Sequence, residues 1–388
     1  MTIRHLPFAI CHSPFAICYL PHAIRNMRIG LIIYNSLDTV SGGYLYDRKL
    51  VEHLRKCGDE VEIISLPYSN YATHLAHNLQ PHSASLRGQV SLIPNRSFDI
   101  LLQDELNHPS LFLLNRFIKG RYPILSIVHH LRISEQHPEW QSVFYRVIER
   151  AYLDSVDGFI FNSEATRKVV LSVVGARHAS PLQYVVAYPS GDRFNVNITP
   201  DQVRARAVLT PFKILFVGNL IRRKGLHTLL DALKNVNGDW ELVIVGNGNI
   251  DRSYAETIQR RLTPQIKLLG SLNDAQLADQ FAISHLLVVP SQYEGFGIVY
   301  LEGMGFGLPA IASASGGASE IITHGENGFL IEPNDAASLT HHLQSLIFNH
   351  QLLIEMSLNA LERFKKHPTW EASMGRVREF LKRIAYSV

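Results

Sequence analysis

The sequence predicts an α/β protein built from two doubly wound units that face each other across a cleft. Three observations carry this expectation. The chain has 388 residues, too many for one ordinary core and well suited to two domains. From Met27 onward, short apolar runs alternate with amphipathic stretches, the pattern of a parallel sheet wrapped by helices. The alternation breaks once, at the turn-rich stretch Pro189-Ser-Gly-Asp-Arg-Phe-Asn-Val-Asn-Ile-Thr-Pro200, and then restarts with Phe212-Lys-Ile-Leu-Phe-Val217.

Taken in order, the apolar runs place strands of the first unit at 28–34, 61–66, 98–103, 123–128, 157–161 and 183–188. Amphipathic stretches place its helices at 44–57, 138–153 and 163–174. In the second unit, strands beyond 212–217 are expected at 241–245, 266–269, 285–289, 309–312 and 328–331. Helices are expected at 225–236, 253–263, 273–282, 298–306 and 335–349, with a last amphipathic helix from Trp370 to Ile384 after Pro368. The boundaries are therefore 27–192 for the first unit, 193–211 for a linker, 212–367 for the second unit and 368–388 for the final helix. Ligands of such folds bind at the carboxyl ends of the strands, and the cleft between the units is the default site.

Residues 1–26 stand apart. Pro7-Phe-Ala-Ile-Cys11, Pro14-Phe-Ala-Ile-Cys18 and Pro21-His-Ala-Ile24 recur every seven residues. Proline in each repeat excludes a coiled coil. Prolines and histidines also interrupt the apolar region, and no small-residue cleavage site follows, so a signal peptide fits poorly. The segment is expected to be a disordered or mis-assigned extension, a translated DNA repeat upstream of a start at Met27.

Composition narrows the class. Hydrophobic residues make up 46% and charged residues 18%, as in soluble globular proteins. No run approaches the roughly 20 apolar residues of a membrane helix. A net charge of +3 is mild, and no basic stripe interleaved with aromatics suggests nucleic-acid binding. The three cysteines form no CxxC pair and no metal-ligand spacing, which argues against a disulfide framework or structural zinc and points to the cytoplasm. Leu111-Phe-Leu-Leu-Asn-Arg-Phe-Ile-Lys119 with Arg121 has two readings: a core helix with a solvated edge, or a basic amphipathic segment in peripheral contact with an anionic membrane at its inner surface.

The most informative stretch is Ser291-Gln-Tyr-Glu-Gly-Phe-Gly-Ile-Val-Tyr-Leu-Glu302, directly after the apolar run ending at Pro290. Strand, glycine loop and helix in succession point backbone N–H groups at an anion. On one continuous helix Glu294 and Glu302 would lie roughly 12 Å apart along the axis, whereas glycosidase pairs sit roughly 5–9.5 Å apart. Two parts of one long ligand suit them better than a hydrolytic pair. Glu302 suits a ribose diol, and no Lys or Arg lies at 298, 299, 305 or 306 to pair with it locally. Glu294 either caps the helix or binds ligand, beside Gly295 and Gly297, whose missing side chains allow close approach.

Gly218-Asn-Leu-Ile-Arg-Arg-Lys-Gly225 also runs from a strand to a helix. There Lys224, backed by Arg222 and Arg223, suits a diphosphate, the alternative being a solvated basic turn. In the first unit Ser41-Gly-Gly-Tyr44 is either an ordinary strand–helix turn or a site of close approach at Gly43. His129 and His130 end an apolar strand at the edge where ligands bind.

Together these residues resemble the GT-B glycosyltransferases, in particular the retaining, nucleotide-sugar-dependent family four. The likeness runs from Met27 to the C-terminus and is strongest over 212–332. Its most specific element is the Glu294–Glu302 pair with Gly295-Phe-Gly297. Arg223-Lys-Gly225, Gly246-Asn-Gly248, Gly307-Leu-Pro309, Ser315-Gly-Gly317 and Asn327-Gly328 support it. The resemblance implies two Rossmann-like domains, an acceptor-side one at 27–192 and a nucleotide-sugar-binding one at 212–367, with the final helix crossing back.

For the site, the resemblance implies that Glu302 holds the ribose and Lys224 the diphosphate, with Gly218, Arg222 and Arg223 nearby. Glu294 and the N–H groups of Gly295, Phe296 and Gly297 hold the sugar. His129 reaches the sugar near the reacting carbon, and Gly43 faces the diphosphate. It further implies transfer of a hexose from a nucleotide-diphosphate sugar to a hydroxyl of a sugar, lipid or small-molecule acceptor, with retention, no metal and no cofactor, in carbohydrate or glycolipid biosynthesis. One position departs from the family: many relatives carry an arginine where this chain has Asn219, which supplies no charge to the diphosphate. The rival readings are a non-catalytic nucleotide-sugar-binding protein and a GT-B relative such as a phosphorylase or epimerase. A phosphorylase would show a pyridoxal-binding lysine context, which the chain lacks, and an epimerase would lack the paired acids.

Overall fold

The computed structural model describes residues 26–79, 97–175 and 182–386. The heptapeptide repeats, and the expectation made for them, lie outside the described residues.

The described residues form two six-stranded parallel sheets. The first contains β1 (Arg28–Tyr34), β2 (Glu60–Leu66), β3 (Ile100–Asp104), β4 (Ile124–Val128), β5 (Gly158–Phe161) and β6 (Gln183–Val186), in the order β2-β1-β3-β4-β5-β6. The second contains β7 (Phe212–Val217), β8 (Trp240–Val245), β9 (Ile266–Gly270), β10 (Leu286–Val289), β11 (Ala310–Ser313) and β12 (Gly328–Ile331), in the order β12-β11-β10-β7-β8-β9. Register follows the apolar runs: Leu31 pairs with Ile63 on one side and Leu102 on the other, and Leu215 with Val243 and Leu287. Strands such as β4 and β10 are buried along their whole length because helices cover both faces.

Strand order reverses between β1 and β3 in one sheet and between β7 and β10 in the other. At such reversals the loops leaving neighbouring strands part to opposite faces and open a crevice. The loops after β7 and β10 are those that carry Lys224 and Glu294. After β1 and β3 come Gly43 and the acids Asp104 and Glu105.

Helices of the first unit are α1 (Gly42–Lys56), α2 (Tyr71–Leu79), α3 (His108–Ile118), α4 (Glu139–Leu153) and α5 (Glu164–Val174). Ser41 and Ser163 cap α1 and α5 through their hydroxyls. The 111–119 segment is α3, and it turns Leu111, Asn115 and Ile118 into the core, where Asn115 exchanges amide hydrogen bonds with Gln103. The core reading of that segment is the correct one.

The stretch 193–211 is not a plain linker. It holds a 3-10 turn at Asp192–Phe194 and the helix α6 (Pro200–Ala207), started by a Thr199–Gln202 capping box. Arg206 of α6 donates to the carbonyls of Gly307 (2.8 Å) and Ala282 (3.3 Å), so this segment belongs to the second unit. The remaining helices are α7 (Leu226–Leu233), α8 (Arg252–Gln259), α9 (Asp274–Ile283), α10 (Ile298–Gly305), α11 (Ala336–Phe348), α12 (His350–Lys365) and α13 (Trp370–Tyr386). The apolar periodicity did not single out α2, α6 or α12.

Helix α13 packs Trp370, Met374, Val377, Phe380 and Leu381 into the first unit's core. Arg378 grips Asp59 there with two hydrogen bonds, of 2.6 and 3.2 Å, while Asp59 also accepts from the Met27 amide at 3.0 Å. Polar contacts join the units elsewhere. The Glu320 carboxylate accepts from the amides of Glu164 (3.0 Å) and Ala165 (2.7 Å), serving as a cap for α5 supplied by the other unit.

Replacing Arg378 by methionine leaves the buried Asp59 carboxylate without its cation. Urea unfolding at neutral pH should show a loss of about 3–5 kcal/mol, and Arg378→Lys should recover part of it.

Candidate active site

A cavity of about 380 Å³ lies between the two units, lined by loops from both switch points. Its second-unit wall is organised by one ion pair. Lys224 Nζ lies 2.5 Å from Glu294 Oε1, and Ser291 Oγ donates to the same oxygen at 2.6 Å. Two close backbone approaches make this pairing possible. Gly225 has φ +70°, and a Cβ there would fall 1.9 Å from the Pro290 carbonyl oxygen, so the two loops pack main chain to main chain. Gly317 supports the other side, its amide donating to the Glu294 carbonyl at 2.8 Å.

Burial alone would raise the Glu294 carboxyl, which is 8% exposed. Lys224 and Arg223 outweigh it, and with the Ser291 hydroxyl they hold the group at about 2. Lys224 is pushed down by burial and pulled back by Glu294. The Glu294 carboxyl is therefore ionised at neutral pH.

Helix α10 begins only at Ile298, after Gly297 at φ +96°. Glu294 thus sits in the loop before the helix and Glu302 within it, as the expected helix at 298–306 implies. Glu302 also has a partner that local spacing could not show. Arg193 Nε donates to Glu302 Oε1 at 2.5 Å, and its Nη1 meets Asp274. Glu302 is 4% exposed, and burial raises its carboxyl even though Arg193 works against this.

The three basic residues after β7 divide. They form a 3-10 turn, which sends successive side chains in different directions. Lys224 and Arg223 line the cavity together with Gly218, whereas Arg222 is exposed and does not. Arg223 is already engaged: Nη1 donates to the Tyr293 carbonyl at 2.8 Å, and Nε lies 3.3 Å from Glu135 Oε1 of the first unit. Glu135 also pairs with His130 Nε2 at 3.1 Å. Asn219 lines the cavity without adding charge.

Across the cleft stand Gly43 and His129. A Cβ on Gly43 would come within 3.0 Å of the His129 ring, so that glycine makes room for the imidazole. His129 Nε2 lies 3.2 Å from Asp47 Oδ1. Burial would lower the imidazole, but Asp47, then Asp104 and Glu105, raise it to about 9. Gly295 meets this wall directly, since a Cβ there would lie 2.1 Å from the His129 carbonyl oxygen. Its own carbonyl accepts from Ser163 Oγ at 2.7 Å. Phe296 is buried against Tyr188, with ring centroids 5.7 Å apart. The structure thus brings together Gly43, His129, Gly218, Arg223, Lys224, Glu294, Gly295, Phe296, Gly297 and Glu302, and leaves out Arg222.

Asp47, Asp104, Glu105, Glu135 and Arg193 escaped the sequence reading. Asp47 had a signal, its four-residue spacing from Gly43 on one helix face. Arg193 had none, because it lies in the presumed linker, 109 residues before Glu302. Among the described residues two groups have ligand-like spacing, Asp47–Asp104–His129 and Glu105–His108–Glu149, each with side-chain atoms within 4.8 Å of one another. In the first, His129 Nε2 is already committed to Asp47.

Residues 199–363 match the family model for glycosyl transferases group 1. The second unit is thus similar to that family. The phosphatidyl-myo-inositol mannosyltransferase of Mycobacterium leprae is 28% identical over 357 residues, 84% of this chain and 89% of that one. Another curated glycosyltransferase is 34% identical over 165 residues but aligns over only 46% of its own length. Among solved structures, sucrose-phosphate synthase from Thermosynechococcus elongatus has a TM-score of 0.78 at 20% identity, covering 94% of this chain and all of its own. Anabaena HepE in complex with UDP-glucose has a TM-score of 0.72 at 19% identity, covering 92% of this chain and all of its own. These neighbours share the GT-B fold with this chain.

Lys224→Ala strands the buried Glu294 charge and should cost about 3–5 kcal/mol in chemical denaturation. Adding Glu294→Gln removes that charge, so the double variant should be more stable than Lys224→Ala alone. The ion pair also sets an acid dependence. Glu294 titrates at about 2 in the fold against an ordinary 4.5, so its contribution is present above 4.5 and lost as pH falls through about 2. The stability gap between the parent and Glu294→Gln should close over that window.

Proposed function

We propose that the protein transfers a hexose from a nucleotide-diphosphate sugar to an acceptor hydroxyl, with retention of configuration and without a metal. The carrying observation is the buried Lys224–Glu294 pair beside Glu302 on one wall, with His129 on the other. In this reading Glu302 accepts from the ribose diol, and Lys224 and Arg223 neutralise the diphosphate. Glu294 and the N–H groups of 295–297 hold the sugar.

Charge that develops on the departing phosphate meets preformed cations and backbone donors, which lowers the barrier because they need no reorganisation. The acceptor hydroxyl attacks from the leaving-group face. The bond from the anomeric carbon to the phosphate oxygen breaks as the new glycosidic bond forms, and the departing phosphate takes the hydroxyl proton. Arg193 holds Glu302 as a carboxylate in a place where burial favours the neutral acid. A UDP-sugar is the first donor to try, because a fold neighbour is solved with UDP-glucose.

The surface best suited to an anionic membrane is the exposed face of α4, where Trp140, Val143, Phe144 and Val147 form a stripe at helical spacing; in 111–119 the exposed residues are Arg116, Phe117 and Lys119. Flotation with anionic liposomes should carry the protein, and Trp140→Ser with Phe144→Ser should reduce the floated fraction.

A thermal-shift panel of UDP, GDP, ADP and their sugars tests the donor reading. The correct diphosphate at about 100 times its Kd adds about 2.7 kcal/mol, and Glu302→Gln should abolish that gain. Proton NMR of the first-formed product reads the anomeric configuration. No shift with any nucleotide overturns the proposal, and binding without transfer favours a non-catalytic sugar-nucleotide-binding protein.

A further inference from the structure

We propose that Asp47 is a positioning residue for His129, holding the imidazole by Nε2 so that the ring meets the ligand with its remaining nitrogen. This rests on the reading of His129 as part of the donor site.

The geometry on α1 carries the inference. Gly43 and Asp47 are four residues apart and share a helix face, and His129 contacts both. The glycine leaves space for the ring, and the aspartate anchors its Nε2 at 3.2 Å. Tyr46 packs edge-on at 5.4 Å between centroids, tied in place by its own hydroxyl donating to the Ala187 carbonyl at 3.0 Å. The main chain of Gly295 packs against the His129 carbonyl on the side toward the second unit, which fixes the backbone that carries the ring. The ring itself is held by Asp47 and flanked by Gly43 and Tyr46.

Asp47 does little else. Its side chain is fully buried, its Oδ2 has no hydrogen-bond partner, and its bond to His129 is the one recorded for its carboxylate among the described residues. A buried carboxylate with one oxygen unsatisfied is costly. A helix that needed only packing would be more stable with an apolar residue there. What the arrangement supplies is orientation and charge for the histidine.

The groups facing the ring are Asp47 from α1 and Asp104 and Glu105 from the turn after β3. With these acids around it, the imidazole carries protons on both nitrogens at neutral pH. His129 Nδ1 makes no hydrogen bond among the described residues, and the residue lines the cavity. It therefore offers an N–H donor to a ligand oxygen. Without Asp47 the neutral ring would be free to present a lone pair instead. The same three side chains at 4.8 Å spacing also suit a divalent cation, and the experiment separates the two.

The full-length protein is compared with Asp47→Asn, Asp47→Glu and His129→Gln. Histidine-labelled NMR, with the His129 signal identified by its loss in His129→Gln, reads the ring directly. In Asp47→Asn its titration should fall from about 9 toward the ordinary 6.5. The alkaline limb of kcat should move down with it, kcat should fall about 100-fold, and donor KM should stay within about twofold. Asp47→Glu, keeping the charge, should restore part of kcat and of the titration. An unmoved titration and alkaline limb in Asp47→Asn overturn the role of Asp47. So does parental activity that chelation abolishes and manganese restores, with Asp47→Asn losing the metal response. Parental turnover in His129→Gln instead overturns the donor-site reading on which the proposal rests.

Discussion

The Lys224–Glu294 ion pair is the constraint on which the second-unit wall of the cleft depends. Both groups are buried, and removing two charges from water costs several kcal/mol per ion. The cost is offset only because the geometry is tight and Ser291 fills a further acceptor position on Glu294. Tightness in turn requires the loops after β7 and β10 to touch main chain to main chain, which Gly225 permits. Those loops are neighbours because strand order reverses between β7 and β10. Topology, glycine and ion pair therefore form one chain of causes. Its result is a fixed loop whose amides and following helix address the cleft.

The opposing wall is joined to this one by polar contacts. Ser163 reaches the Gly295 carbonyl, Glu320 caps α5, and Glu135 meets Arg223. Contacts of this kind exchange for water at modest cost, as a cleft that admits and releases ligands requires. The connection from first to second unit takes part as well. Arg193 sits in it and binds Glu302, so the chain that joins the units also supplies charge to the site. At the far end α13 is anchored to the first unit by the Arg378–Asp59 pair. The second unit is thus tethered at two places.

The strands were legible because parallel strands buried on both faces read as short apolar runs, and each was placed within a few residues. Several helices were not. In α6, Arg206 turns inward to cap carbonyls of neighbouring segments, so its polar sequence imitates a linker. Helix α12 follows α11 with only Asn349 between them, and no glycine or proline separates the two.

By itself the sequence determined the fold class and the loop that carries Glu294 and Glu302, because strand periodicity, glycine loops and the spacing of those acids are local properties of the chain. It also supplied the family likeness, which rests on the same local motifs. Only the tertiary structure decided how the charges are shared. It gave Glu302 to Arg193, Arg223 to Glu135 and His129 to Asp47, and it turned Arg222 away. Charge pairing is set by which loops meet in space, and partners 109 residues apart leave no trace in local spacing.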